Sequence, residues 1–452
     1  MRPGLIRRQM MRRSRALVAS PRLWRSRLVF WAGAIAIGLI SAGFAVLADE
    51  AHGLFLTAFG KGWWRWLPLL VTPLGFLACA WAADRFFPGS QGSGIPQAIA
   101  ARHLREDEDR GGYLTLRIVV GKIALTLAGL LAGASIGREG PTVQVGAALM
   151  LASGRLGGMA HARGLILAGS AAGIAAAFNT PLAGIVFAIE EMGRAYQART
   201  NGLVLSAVIL AGVASLSILG SYTYFGVTHV SASFPGDWGL VAATGVAGGL
   251  LGAIFSLVTV GLVTRLRRAK IFTRERRLLL VAGGAGLIVA ILGVGTGGAT
   301  FGTGYDQARG AIEGEGLPGA YFLAKFIATL ASTVSGIPGG LFAPSLSVGA
   351  GLGSTIGMLL GASVTLGAIL GMSGYFAGVV QAPLTTVVIV VEMTGNHDNV
   401  VPIMAAAMLG YGVSRLISPE PLYHALSRLW IADAIRRRRS ETAPATPESP
   451  SS

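Results

Sequence analysis

The chain has one cysteine in 452 residues, Cys79, which rules out an intrachain disulfide framework and a metal site built from clustered cysteines. Its six histidines are scattered and form no His-x-x-x-His pair, so a histidine-ligated metal site has no basis either. Charge is scarce: Asp, Glu, Lys and Arg make up 13% of the residues against 52% apolar ones, too little to cover a soluble protein of this length. The 66 residues from 326 to 391 (391 − 326 + 1) contain no charged side chain. About 20 apolar residues span a hydrocarbon core of ~30 Å, so this stretch has the length of about three crossings with no charged loop between them. Gly336, Pro338, Gly339, Gly340, Pro344, Gly349, Gly351 and Gly353 interrupt it. Short, broken helices are expected there, because irregular backbone at membrane depth survives only when buried or lining a cavity. Residues 28–48 and 66–83 are further uncharged runs long enough to span. The fold class is all-α and polytopic in a membrane.

The net charge of +16 comes from clusters outside these runs. Nine arginines and no acid lie in 1–27, seven basic residues lie in 265–277, and Arg436 to Arg439 follow the last apolar stretch. The positive-inside rule puts all three clusters, and both termini, on the cytoplasmic side, with an even number of crossings between them. Lipid headgroups account for the charge better than nucleic acid, which is not expected as a partner. The apolar segment 28–48 is too long for the core of a cleavable signal peptide. We expect a basic segment 1–27, a membrane domain 28–435 with a short cytoplasmic helix 420–435, and a disordered basic and Pro/Ser-rich tail 436–452. No soluble regulatory domain is expected.

Within this apolar frame one pentapeptide is out of place: Gly137-Arg138-Glu139-Gly140-Pro141. Ionisable residues at bilayer depth are costly and mark ion or proton paths. The flanking glycine and proline point to a chain break where a helix begins, with amides free to face a ligand. Helix N-termini attract anions, so the pattern puts a carboxylate at an anion site. A buried Arg138–Glu139 pair is the plainer reading, but adjacent residues on a helix do not face each other.

The break has a mate. Lys122 and Lys325 are 203 apart (325 − 122), and each is followed by threonine at +4 and glycine at +15. Residues 137–149 (GREGPTVQVGAAL) align at that offset with 340–352 (GLFAPSLSVGAGL). Asn179-Thr180-Pro181-Leu182 with Glu190 matches Gln381-Ala382-Pro383-Leu384 with Glu392 at an offset of 202 (383 − 181). Lys, Thr, Pro and Glu matching in one order argue for duplication over coincidence. The segment 228–237 has no Lys or Arg, reads as an exterior loop, and divides the repeats at about 28–230 and 238–415. A cytoplasmic start and an exterior boundary make the halves antiparallel, and inverted repeats place the substrate site near the midplane.

Two further features belong with this pair. Gly92-Ser93-Gly94-Ile95-Pro96 offers a hydroxyl at a helix start, although alone it reads as an N-cap. Tyr423, in Glu420-Pro421-Leu422-Tyr423, alone reads as an interfacial aromatic anchor.

Taken together, the stretches GSGIP, GREGP and GGLFAP, in this order and over a fold-wide repeat, resemble the CLC chloride channel and transporter family across about residues 28–435. The resemblance implies an inverted-repeat fold of broken, tilted helices in the bacterial inner membrane. It implies chloride and protons as substrates, membrane lipid around the chain, a homodimer, and no cofactor. Ser93 and Tyr423 would donate hydroxyls to a central chloride, and Leu341 and Phe342 backbone amides. The amides around Arg138, Glu139 and Gly140 would line an outer anion site. Glu139 would be the external gate and Glu191 an inner proton-transfer carboxylate. Lys122 matches a buried family lysine that adds positive potential. Coupled exchangers keep a carboxylate at Glu191 and channels tend to lack it, so the expectation is proton-coupled antiport, with an uncoupled chloride channel as the alternative. The plainer reading of an acid there is an ion pair with Arg194, a part that falls better to Glu190. Serine at 93 favours chloride, since proline there implies nitrate and fluoride-type relatives depart at this motif. Gln97 and Ile99 stand where some relatives carry glutamates, so a buried acid near the subunit contact is missing.

A membrane-embedded hydrolase is the competing class. Gly133-Ala134-Ser135-Ile136-Gly137 satisfies G-x-S-x-G, but that motif needs a strand–turn–helix elbow and a histidine partner.

Overall fold

The computed structural model describes residues 21–59, 62–193, 198–220, 223–268, 276 and 278–442. In the first half, α1 (Pro21–Phe59) leads to α2 (Pro68–Arg85), α3 (Ile95–His103) and α4 (Asp107–Gly111). Then come α5 (Leu116–Leu131), α6 (Glu139–Leu156), α7 (Ala162–Phe178), α8 (Pro181–Phe187) and α9 (Ala198–Leu219). The second half runs through α10 (Trp238–Arg268), α11 (Gly284–Gly295), α12 (Tyr305–Ile312), α13 (Tyr321–Val334) and α14 (Phe342–Leu359). It ends with α15 (Val364–Val380), α16 (Pro383–Thr394), α17 (Val400–Ile417) and α18 (Leu422–Thr442). Six helices among the described residues are long and apolar enough to cross a membrane, and α7, α11, α13, α15 and α16 are apolar but shorter. The charge-free stretch 326–391 is divided among four helices, as its glycines and prolines require.

The duplication is visible element by element. α6 and α14 both have 18 residues and start 203 apart (342 − 139). α7 and α15 both have 17 residues, and each ends in a left-handed residue, Asn179 at φ 56 and Gln381 at φ 59. A proline then opens the next helix in each case, Pro181 in α8 and Pro383 in α16, where a missing N–H costs nothing.

Small residues let these helices approach backbone to backbone, which stands in for the hydrophobic drive that lipid cannot supply. A Cβ added at Gly146 would lie 2.2 Å from the Gly169 carbonyl oxygen, and one at Gly353 only 1.8 Å from that of Gly367. The halves are locked at their edge by two carboxylates that each cap the other half's helix. Glu190 accepts from Leu384 N (3.1 Å), Thr385 N (2.6 Å) and Thr385 Oγ1 (2.7 Å) at the start of α16. Glu392 accepts from Leu182 N (3.2 Å) and Ala183 N (2.8 Å) at the start of α8.

Two boundaries differ from the sequence reading. α1 begins at Pro21, so part of the basic segment 1–27 is helical. α18 continues past 435 to Thr442, so Arg436 to Arg439 lie on a helix and not in a disordered tail. Those arginines have partners that hold the last turns: Arg436 reaches Asp433 (2.7 Å) and Arg437 reaches the Tyr113 hydroxyl (2.6 Å). Glu190 takes the structural part expected of it, but through helix amides; Arg194 lies outside the described residues.

Gly353→Leu is expected to force α14 from α15, with overpacking of this kind costing about 1–3 kcal/mol or more. Its thermal midpoint in detergent should fall well below that of Gly412→Leu, where nothing lies within 4 Å of an added Cβ. Equal midpoints would refute the close-packing account.

Candidate functional site

Three helices start against one another with no side chain capping any of them: α3 after Gly94, α6 after Arg138 and α14 after Leu341. Their free amides therefore point into a common space. The loops before them are laced together. Gly137 N and Gly340 N each donate to the other's carbonyl at 2.7 Å, while Gly92 N bonds Ile337 O and Gly339 N bonds Gly92 O, both at 3.1 Å. Gly94 sits at φ 101, open to glycine, and a Cβ there would meet Gln144 at 2.9 Å. A Cβ on Gly140 would lie 2.3 Å from Ser93 Oγ and 3.2 Å from Gly340 Cα. The GSGIP, GREGP and GGLFAP segments thus meet within a few ångströms.

Ser93 is not an N-cap. Gly94 holds that position, and the buried Ser93 Oγ has no hydrogen-bond partner. The Tyr423 hydroxyl on α18 is its neighbour, also buried, and the two do not close a bond of full geometry. Tyr423 is no interfacial anchor: it is fully buried, its ring 5.9 Å from that of Phe342. Phe342, the first residue of α14, also contacts Phe376 (4.8 Å), Phe178 (6.0 Å) and Phe187 (6.2 Å). Two unpaired hydroxyls and the amides after Leu341 make an acceptor-seeking pocket, since buried donors without partners are costly.

Glu139 opens α6 and is fully buried. Its oxygens face its own amide and that of Ala343 without a full hydrogen bond to either, and Oε2 leaves no room for a Cβ on Gly137. The carboxylate therefore rests where two helix N-termini favour an anion. Arg138 turns away from it. Its Nη1 donates to Ala45 O (2.7 Å) and Asp49 Oδ1 (2.6 Å) on α1, and its guanidinium lies 5.9 Å from the Tyr224 ring centroid. Asp49 was not singled out from sequence, and its distance of 89 residues along the chain gives no pattern to find it by.

The two buried lysines act alike. Lys122 Nζ donates to Ser90 O (2.7 Å) and Gly92 O (2.6 Å), and Lys325 Nζ to Thr300 O (3.0 Å) and Gly302 O (2.8 Å). Each ammonium holds the loop before a short helix, α3 or α12. These contacts expose a repeat that sequence reading missed: Gly92-Ser93-Gly94-Ile95 corresponds to Gly302-Thr303-Gly304-Tyr305, 210 apart (302 − 92). Gln97 is buried and donates to Gln91 O and, at 3.4 Å, Gly89 O, so it ties the same loop. Ser135 of the G-x-S-x-G stretch shares its hydroxyl with Thr329 (3.1 Å), at a helix break rather than a strand–helix elbow.

Two cavities approach these residues. One, of about 670 Å³, reaches Ser93 between α2, α3, α10 and α18 and is lined by Gln97, Tyr113, Arg267, Trp430 and Arg437. The other, of about 470 Å³, reaches Glu190 and Glu191 past Gln381, Tyr411, Arg415 and Pro421. Glu191 is buried on a π-helical turn, Ala188–Gly193, apart from the first cavity. The structure thus brings Ser93, Gly140, Leu341, Phe342, Glu139 and Tyr423 together, and sets Glu191 aside near its own opening.

Residues 74–415 match the family model described as voltage gated chloride channel. The chain belongs to the CLC family. It is a membrane transport protein and not an enzyme. Relatives include the H(+)/Cl(-) exchange transporter ClcA of Yersinia pestis, 32% identical over 79% of this CLC chain and 78% of its own length. The protein of that description in Salmonella gallinarum is 32% identical over 83% of both chains. Among solved structures, a slow cyanobacterial Cl-/H+ antiporter superposes with TM-score 0.77 at 23% identity, covering 90% of this chain and 98% of that one. A CLC-type fluoride/proton antiporter gives 0.74 at 21% identity, covering 89% and 98%. These likenesses show the fold.

Gly140→Ala would fill the space before Ser93. A hydrogen bond to a charged group is worth about 1.5–3 kcal/mol, so halide affinity in detergent should fall at least about tenfold by calorimetry. Unchanged affinity would show that the anion is not held between Ser93 and the start of α6.

Proposed function

We propose that this protein is a proton-coupled chloride antiporter with both termini cytoplasmic. The observation that carries the reading is Glu139, a carboxylate lying fully buried against the amides of two helix starts, where a free anion would bind. Chloride and the carboxylate compete for that position. Protonation removes the carboxylate's attraction, the side chain leaves, and an anion takes its place. One position used by either species links the two flows. Ser93, Tyr423 and the amides of Leu341 and Phe342 hold a second, dehydrated chloride by neutral donors, weakly enough to release it. Arg138 orients α6 through Asp49 and adds positive potential beside the outer position.

Coupling rather than free conduction is supported by Glu191. It keeps a carboxylate at the inner end, close to Tyr423 yet served by its own cleft, so protons and chloride have separate cytoplasmic approaches. The ClcA relatives carry the same described activity. Serine at 93 favours chloride over fluoride. We also propose a homodimer in the bacterial inner membrane, each subunit with its own path. The supporting feature is an apolar, outward face on α8, α9, α16 and α17 that includes Leu182, Ile209, Leu384 and Met404.

In liposomes, an imposed chloride gradient should drive protons uphill in the opposite direction; chloride flux without protons would leave the uncoupled channel. Glu139→Gln should abolish proton movement and spare anion flux. Glu191→Gln should remove proton transport while some chloride flux remains. Fluoride carried faster than chloride through the wild-type protein would overturn the choice of anion.

A further inference from the structure

The π-helical turn Ala188–Gly193 leaves backbone carbonyls outside the regular helix pattern, as such turns do at functional sites. Side chains from two other helices hold them. His424 Nε2 on α18 lies 3.0 Å from Glu191 O, and Arg102 Nη1 on α3 lies 2.6 Å from Met192 O and 3.3 Å from Gly193 O. A carbonyl only accepts, so Nε2 is the ring nitrogen that carries a proton there. The same Nε2 is 3.8 Å from Glu191 Oε1, and the His424 side chain is 11% exposed where that of Glu191 is 3% exposed. A movement of about 1 Å therefore brings donor and carboxylate to hydrogen-bond distance.

An ordinary carboxyl, ionising near 4.3, is protonated about once in 500 at pH 7, whereas an imidazole, ionising near 6.5, is protonated about one time in four. A histidine beside a carboxylate thus offers a group that readily carries a proton at neutral pH, where an ordinary carboxyl seldom does. We propose that His424 is the donor that loads Glu191 with its proton, which rests on the reading of Glu191 as the inner proton-transfer carboxylate. In the step, the His424 imidazolium gives its Nε2 proton to Glu191 Oε1. The N–H bond breaks with its electrons left on nitrogen, and an O–H bond forms. Neutral imidazole and neutral carboxylic acid result, and hydronium from the cytoplasmic side restores the imidazolium. Around the pair stand Arg102 from α3, Tyr423 on the same helix, and the Arg428–Glu420 ion pair at 2.9 Å. Glu190 is turned away to the amides of α16, and Arg267 meets Asp433 at 2.7 Å further along α18.

His424→Gln keeps an N–H donor for the Glu191 carbonyl but does not ionise; His424→Ala loses both. In proteoliposomes under a fixed chloride gradient, wild-type proton flux should fall as pH on the Glu191 side rises between about 5 and 8. His424→Gln should lose that inflection and move protons roughly tenfold more slowly at pH 7. That is less than the ~100-fold of a group with no substitute, since water still reaches Glu191 through its cleft. Chloride flux in the same vesicles reports that the variant folds, and His424→Asn repeats the test if it does not. Wild-type proton flux in His424→Gln, or full rescue by Gln of what Ala loses, would overturn the proposal by showing that His424 only positions the turn. Proton flux surviving Glu191→Gln would instead sink the reading of Glu191, whatever His424 does.

Discussion

A helix that starts inside a membrane leaves amides with no water to bind, and the rest of this structure depends on what is placed before them. α3, α6 and α14 all start at depth with no side-chain cap. Lipid cannot face such ends, so they are turned toward one another and closed by loops that hydrogen-bond to each other and to buried side chains such as Lys122 and Gln97. What remains is a small space ringed by donors. The chain supplies one acceptor for it, the Glu139 carboxylate. On the proposed reading, an anion passing through takes that acceptor's place.

The duplicated plan explains which parts are structural and which are not. Lys122 and Lys325 do the same work in both halves, and Glu190 and Glu392 exchange caps across them. The halves part at the short helices. Thr303 Oγ1 accepts from the Tyr305 amide at 3.3 Å, whereas Ser93 Oγ is left without a partner. Likewise Leu341 and Phe342 stand where the other half has Arg138 and Glu139. At this break one half pairs its hydroxyl and the other leaves it open.

How much of this could be read from the chain follows from how each feature is encoded. The halves and the pairing of the two breaks at Gly137 and Gly340 were legible, because Lys, Gly, Pro and Glu recur at offsets of 202 and 203 (383 − 181 and 340 − 137), while the third helix start joined them only through the family resemblance. The match of GSGI with GTGY was hidden by seven extra residues (210 − 203) that shift its register. Asp49 was invisible since a partner from a distant helix has no periodicity. The boundary at 435 failed because the arginines after it look like a solvated tail, while Tyr113 and Asp433 give Arg437 and Arg436 places to bind. Ser93 and Tyr423 each looked ordinary alone; the family resemblance picked them out, and in the structure both hydroxyls lie buried without a full hydrogen-bond partner.

The placement of the lysines bears on rate. An ammonium about 4 Å from an anion, at an effective dielectric constant near 20, is worth about 4 kcal/mol. That is nearly a thousandfold in residence, since each ~1.4 kcal/mol is tenfold. Lys122 and Lys325 lie fully buried, but their protons are directed at backbone carbonyls 2.6 to 3.0 Å away. On the proposed reading the ion therefore meets hydroxyls and amides, while the lysines contribute only at a distance, through the loops they hold and the potential they add. An arrangement that turned either ammonium to the ion would bind it better and carry it more slowly. Glu139 fits the same logic from the other side: a carboxylate that made full hydrogen bonds in its resting place would be too well held to yield it.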